Sequence, residues 1–168
     1  MIRLLLVLLM ATSVEAQMKL SSPSFENQQP IPKQHTGEGA DTSPAFTWED
    51  VPSSTKSLAL ICDDPDAPGK TWVHWVIYSI PPGTTNLPEG VAKSDTAAGA
   101  KQGVNDFGKV GYSGPMPPRG HGKHRYFFKL YALKVELDLK RPTKMQLEEA
   151  MKGQILGQVE LVGTYERR

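Results

Sequence analysis

One cysteine, Cys62, stands in 168 residues, so no intrachain disulfide can brace this chain. It falls in the apolar run Leu58-Ala-Leu-Ile-Cys-Asp63 and reads as an inert buried thiol rather than a nucleophile. Neither sign of charge is in excess. Nineteen Lys and Arg stand against eighteen Asp and Glu, a formal net charge of +1, so no global field draws in nucleic acid or a membrane surface. Aromatic residues make up 8% of the chain and do not interleave with a basic stripe, which argues against a base-stacking surface. The apolar run from Leu4 to Met10 is far below the ~20 residues that span a bilayer, and no second run is long enough. Repeats, heptads and low-complexity tracts are missing. So is the Gly-x-Ser-x-Gly elbow of serine hydrolases.

What is present begins with a leader. Arg3 supplies a positive start, Leu4 to Met10 an apolar core, and Val14-Glu-Ala16 a small-residue cleavage site. This layout predicts a secretory signal peptide over residues 1–16; a buried N-terminal strand is the alternative. The mature chain is expected to start near Gln17 and to be exported, to the periplasm or the medium in a bacterium. No lipobox-type cysteine follows the apolar run, so a lipid anchor is not expected. Residues 17–168 then form a single domain, large enough to bury about 68–70% of its unfolded surface without crosslinks.

The strand signals dominate. Ser57 to Asp63 and Thr71 to Ile80 are apolar, β-branched and aromatic, and predict two largely buried strands. Arg125 to Leu137 predicts a long third strand and Val159 to Tyr165 a last one. Residues 17–46 read as extended edges and loops, and 84–110 as a long irregular stretch of the kind that carries function. One helix is indicated. Thr143-Lys-Met-Gln146 fits a capping box, Leu147, Ala150 and Met151 share a face, and Gly153 sits where a helix ends. Glu148, Glu149 and Lys152 form its solvated side. The fold class expected is mainly β, a sandwich with one late α-helix.

The candidate chemistry lies in two distant segments. Gly111 to Tyr126 packs four glycines, three prolines, two histidines, two arginines and a lysine into sixteen residues. Such a backbone is shaped by restricted and permissive φ, and its N–H groups can form an anion nest; an ordinary polar surface loop is the plainer reading. Upstream, a strand runs into Asp63-Asp-Pro-Asp-Ala-Pro68. Pro65 and Pro68 hold the residues before them extended, which aims the carboxylates. His74 lies between Val73 and Trp75, where a satisfied core histidine is the usual outcome. Yet His74, His121 and His124 all lie near these Gly/Pro/Asp loops. Together they suggest one site.

Asp64-Pro-Asp-Ala-Pro68, then Val73-His-Trp75, then Gly114-Pro-x-Pro-Pro-x-Gly-His-Gly-x-His-Arg-Tyr126 resemble the phosphatidylethanolamine-binding protein family, and in particular its bacterial Raf-kinase-inhibitor-like branch of YbhB/YbcL type. Ser43-Pro-Ala-Phe-Thr-Trp48, Asn105-Asp-Phe-Gly108, Gly111-Tyr112 and Gly157 to Glu166 are similar to further motifs of that branch, so the resemblance covers nearly the whole mature chain. It implies a central antiparallel sheet packed on a smaller sheet, with a small anion pocket at one edge. In the family the pocket takes phosphate, acetate, cacodylate or a phosphoethanolamine head group. Matched residue by residue, its members here would be Asp64, Asp66, His74, His124 and Tyr126. Gly120 and Gly122 would add backbone donors, and His121 would line the approach. Eukaryotic members close the pocket with a C-terminal helix. Here the chain ends at Arg168 soon after the last strand, so a more open pocket is expected. A homodimer is carried over from bacterial members.

The function expected is therefore non-catalytic: a binding or regulatory protein for a small anionic ligand, with no enzyme activity, no cofactor and no metal. A histidine titrates near pH ~6.5 and donates to oxyanions best when protonated, so anion affinity should fall as pH rises from about 5 to 8. Carboxylates in the same pocket suit a ligand that carries an ammonium beside its phosphate. Three other readings stand beside this one. The Asp/His cluster could serve a hydrolase, the set His121, His124, Asp64 and His74 could bind zinc, and a surface loop could inhibit a protease or kinase, as in some relatives.

Overall fold

The computed structural model describes residues 17–168; the expected leader, 1–16, lies outside the described residues. β3 (Ser57–Asp64) is buried at every position. A strand with apolar residues on both sides must be covered on both faces, here by a second sheet on one side and a helix on the other. It pairs antiparallel with β4 (Trp72–Ile80) and with β8 (Lys123–Leu133). β6 (Thr96–Ala97), β7 (Ala100–Gln102) and β9 (Ile155–Glu166) complete a six-stranded sheet in the order β6-β7-β4-β3-β8-β9. A smaller sheet, β1 (Lys19–Ser21), β2 (Phe46–Glu49) and β5 (Asn86–Leu87), runs in the order β1-β2-β5.

Alternation along β3 divides the core in two. Leu58, Leu60 and Cys62 face the smaller sheet and pack with Phe46, Trp48, Leu87, Trp75 and Phe128. Ala59 and Ile61 face the other way, onto Leu147 and Met151 of α1 (Lys144–Met151). The expected sandwich with one helix is thus found, and the helix forms a third layer. Cys62 is buried, and burial pushes its thiol well above the ordinary range, in keeping with an inert core residue.

The helix starts as its sequence predicts. Thr143 Oγ1 accepts the Gln146 N–H and Gln146 Oε1 accepts the Thr143 N–H at 2.9 Å, a reciprocal capping box. Leu147 and Met151 are buried while Ala150 is half-buried, and Gly153 takes φ +69° just beyond the end. Among the described residues no helix is long and apolar enough to cross a membrane.

Three elements differ from expectation. The third long strand begins at Lys123 and stops at Leu133; beyond it the chain turns so that Leu137 is buried on the helix side. The last strand begins at Ile155, four residues early, because Ile155 pairs with Leu133 at the outer edge of the sheet, where Ile155 and Leu156 are exposed rather than in the core. The stretch 84–110 is not irregular throughout. It contains β5, β6 and β7, strands too short to leave a period in sequence.

Candidate functional site

The end of β3 delivers two carboxylates to opposite faces. Asp63 turns toward α1, where Lys129 and Lys144 both reach it. This is a buried structural ion cluster. Asp64 emerges on the other face, beside β8. Its Oδ1 accepts the Asp66 N–H at 2.8 Å and its Oδ2 lies 2.7 Å from His124 Nδ1. The Asp-Pro-Asp turn therefore aims Asp64, as its prolines imply.

His74 reaches the same place by a β-bulge. Cys62 pairs with Trp75 and Asp63 with Val73, so His74 is an extra residue without a partner on β3. Val73 packs on the helix side and Trp75 on the small-sheet side. Strict alternation counted back from Trp75 would send His74 toward the helix. The extra residue re-aims it into the cleft with Asp64. His74 Nδ1 donates to the Ser113 carbonyl at 2.6 Å, which leaves Nε2 free of the backbone. Burial holds the His74 pKa below the ordinary imidazole value.

β8 contributes by plain alternation. His124 and Tyr126 fall on the face of Phe128 and Leu130. With Asp64 and His74 they line a cleft of about 220 Å³ whose other walls are Ala67, Pro68, Trp72, Phe107, Met116, Pro117 and Pro118. The His74 and Tyr126 rings meet edge to face at 5.1 Å. Tyr126 is wholly buried, yet its hydroxyl has no hydrogen-bond partner among the described residues, and neither does the buried Trp72 Nε1. Burial and the Asp64 charge raise the Tyr126 pKa far above its usual value, so it remains an O–H donor at any physiological pH.

The loops are held by their polar residues. Asn105 Nδ2 donates to the Gly111 carbonyl at 2.9 Å, and Asn105 Oδ1 accepts the Phe107 and Lys109 N–H groups. That closed turn sets Phe107 against Trp72 and His74 at the rim. Asp41 accepts the Gly114 N–H at 2.6 Å. A Cβ on Gly114 would stand 2.3 Å from the His35 carbonyl oxygen, so only glycine fits where the two loops cross.

Of the residues expected in the pocket, Asp64, His74, His124 and Tyr126 come together at the cleft wall. Asp66 does not. Its carboxylate accepts the Arg125 N–H, Nε and Nη2 at 2.9, 2.8 and 2.7 Å, and the Arg125 guanidinium holds its pKa below the usual carboxylate value. Asp66 is a clamp between the strand end and β8. Gly120 and Gly122 are not in the wall either; they carry φ +73° and +86° and set the course of the loop. His121 is exposed and rests on His124, Nδ1 to Nε2 at 2.7 Å.

Sequence reading missed Trp72 and Phe107 as site residues. Trp72 lies two positions before His74 in a strand, a spacing that shares a face. Phe107 left no periodic signal, because a turn rather than a strand places it.

Two antiparallel sheets, a lone late helix and a cleft floored by Asp, His and Tyr at the strand ends define a mainly β class of protein with its site at one sheet margin. The sequence profile of the phosphatidylethanolamine-binding protein family matches residues 21–166. A UPF0098 protein of Aquifex aeolicus is 52% identical over 155 residues, covering 90% of each chain. Among solved structures, a phosphatidylethanolamine-binding protein homologue from Chlamydia trachomatis superposes with a TM-score of 0.83 at 43% identity, over 90% of this chain and 99% of that one. YbcL of Escherichia coli superposes with a TM-score of 0.84 at 33% identity, over 91% and 100%. The chain belongs to the phosphatidylethanolamine-binding protein family.

Proposed function

We propose that the protein is a non-catalytic binding or regulatory protein whose cleft takes a small oxyanion bearing an organic substituent, such as a phosphoethanolamine-like head group. One observation carries this reading. The Tyr126 hydroxyl and Trp72 Nε1 are buried donors without partners, both on residues that line the cleft beside His74 and His124. An unsatisfied buried donor costs about 1–3 kcal/mol, a cost that an acceptor ligand removes.

The walls refine the ligand. Trp72, Phe107, Met116 and three prolines give the cleft an apolar lining, which suits an organic group attached to the anion better than a bare inorganic ion. Asp64 lines the floor, which suits a zwitterion, whose ammonium a carboxylate attracts, better than a dianion. Against a hydrolase, no serine, cysteine or threonine lines the cleft among the described residues, and the Ser113 hydroxyl is buried against Asn105. Export by the expected leader would put the cleft outside the cytoplasm, so the ligand would be one found there.

Calorimetric titration with phosphate and phosphoethanolamine tests the reading. Binding should be measurable for both, tighter for phosphoethanolamine, and weakened in His124→Ala and His74→Ala. Equal binding by wild type and both variants would overturn it.

A further inference from the structure

We infer that His121 is a displaceable internal occupant of the site, a latch that holds the ligand-facing nitrogen of His124 until an oxyanion evicts it. The inference rests on the anion-cleft reading above and adds its regulation.

His124 has two ring nitrogens and both are engaged. Nδ1 faces the buried Asp64 carboxylate at 2.7 Å. That bond is fixed on both sides, since Asp64 and His124 are 3% and 2% exposed. Any ligand must therefore use Nε2. In this structure Nε2 is taken by His121 Nδ1 at 2.7 Å. An N···N contact of that length holds one proton between two rings. With Nδ1–H of His124 donated to Asp64, Nε2 of a neutral His124 accepts from His121; a protonated His124 donates to it instead. In neither state does Nε2 have capacity left for an incoming oxygen, and only the protonated ring, whose Nε2–H donates, can exchange His121 for an oxyanion.

The two rings are unequal partners. The backbone of His124 is paired within β8, and its buried ring is held by Asp64. His121 is exposed and sits in a turn, its N–H on the Pro118 carbonyl at 3.2 Å. It is flanked by Gly120 and Gly122 at positive φ, and an added Cβ at either would touch nothing within 4 Å. The turn is anchored upstream, where Arg119 Nη1 donates to the Arg168 carbonyl at 3.0 Å, and downstream by the start of β8. The side chain of His121 can swing away while its anchors stay in place. The charges facing the ring pair are Asp64 at the end of β3 and, beside it, the Asp66–Arg125 ion pair.

This differs from the role that the family resemblance implies for His121, that of lining the approach. A residue that only lines the approach should leave binding unchanged or strengthen it. A latch should weaken it, by about the worth of one hydrogen bond, roughly fivefold in affinity.

The test is calorimetric titration of inorganic phosphate into wild type, His121→Ala and His124→Ala at one pH and low salt. The latch predicts His121→Ala about fivefold tighter than wild type and His124→Ala weaker. A His121→Ala affinity equal to or below wild type overturns the latch while leaving the anion cleft intact. Equal binding by wild type and His124→Ala overturns the cleft reading itself. Ring ¹⁵N spectra of the phosphate-free protein give an independent readout. A through-hydrogen-bond coupling between His121 and His124 should be present and should vanish on saturation with phosphate; its persistence at saturation contradicts eviction.

Discussion

His124 Nδ1 lies 2.7 Å from Asp64 Oδ2, although the two residues are 60 positions apart in the chain. The contact joins the end of β3 to β8 and fixes the imidazole that faces the cleft. Orientation of a ring nitrogen by a buried carboxylate decides which nitrogen is left for a ligand.

The first prediction concerns that pair. Asp64→Ala leaves His124 Nδ1 buried without an acceptor and frees the Asp66 N–H. Breaking a buried pair from one side costs about 3–5 kcal/mol. Urea denaturation should show a loss of that order in Asp64→Ala. A loss below about 1 kcal/mol would mean that the pair does not hold the strand ends together.

Tyr126→Phe separates function from stability. The hydroxyl it removes has no protein partner, so the ligand-free variant should be as stable as wild type or slightly more so. Phosphate affinity should nonetheless fall about fivefold, one hydrogen bond's worth. A destabilised variant with unchanged binding would assign the hydroxyl to the fold instead.

The pH dependence of stability has a definite sign at His74. Burial depresses its folded-state pKa below the ordinary value, so the unfolded chain takes up its proton first as pH falls. Stability attributable to this residue is fully present above about pH 6.5 and is lost as pH falls toward the depressed value. His74→Gln should flatten that part of the curve in thermal melts between about pH 7 and 5. An unchanged slope would show that His74 is not the group responsible. Anion affinity runs the opposite way and should rise with acid, since an imidazolium donates to an oxyanion where a neutral ring accepts.

How much of this was legible in sequence follows from how each residue is placed. Leu58, Leu60 and Cys62 announce β3 by composition, and Thr143 with Gln146 announces the helix start, because propensity and capping are local. His124 and Tyr126 share a face by simple alternation. His74 does not, because the bulge that re-aims it is a property of pairing between β3 and β4 and leaves no mark in the run Trp72 to Trp75. Asp66 looks identical to Asp64 in sequence. Only the position of Arg125, brought alongside by the fold, turns one into a clamp and leaves the other at the wall. The family motifs identify the loop of His121 but not its contact with His124, which depends on the turn from Pro118 to His121.

Export makes a separate prediction. Expressed with its leader in a bacterium, the protein should be recovered outside the cytoplasm. Its intact mass should correspond to a chain that starts at or next to Gln17. A cytoplasmic protein that retains Met1 to Ala16 would contradict the leader reading.

The most direct measurement is a crystal structure of protein purified without phosphate and then soaked in phosphoethanolamine. The account predicts the phosphoryl group in the cleft, within hydrogen-bond distance of the Tyr126 hydroxyl and His124 Nε2, with the His121 ring displaced. A saturated crystal with an empty cleft, or with the ligand bound elsewhere, would contradict it.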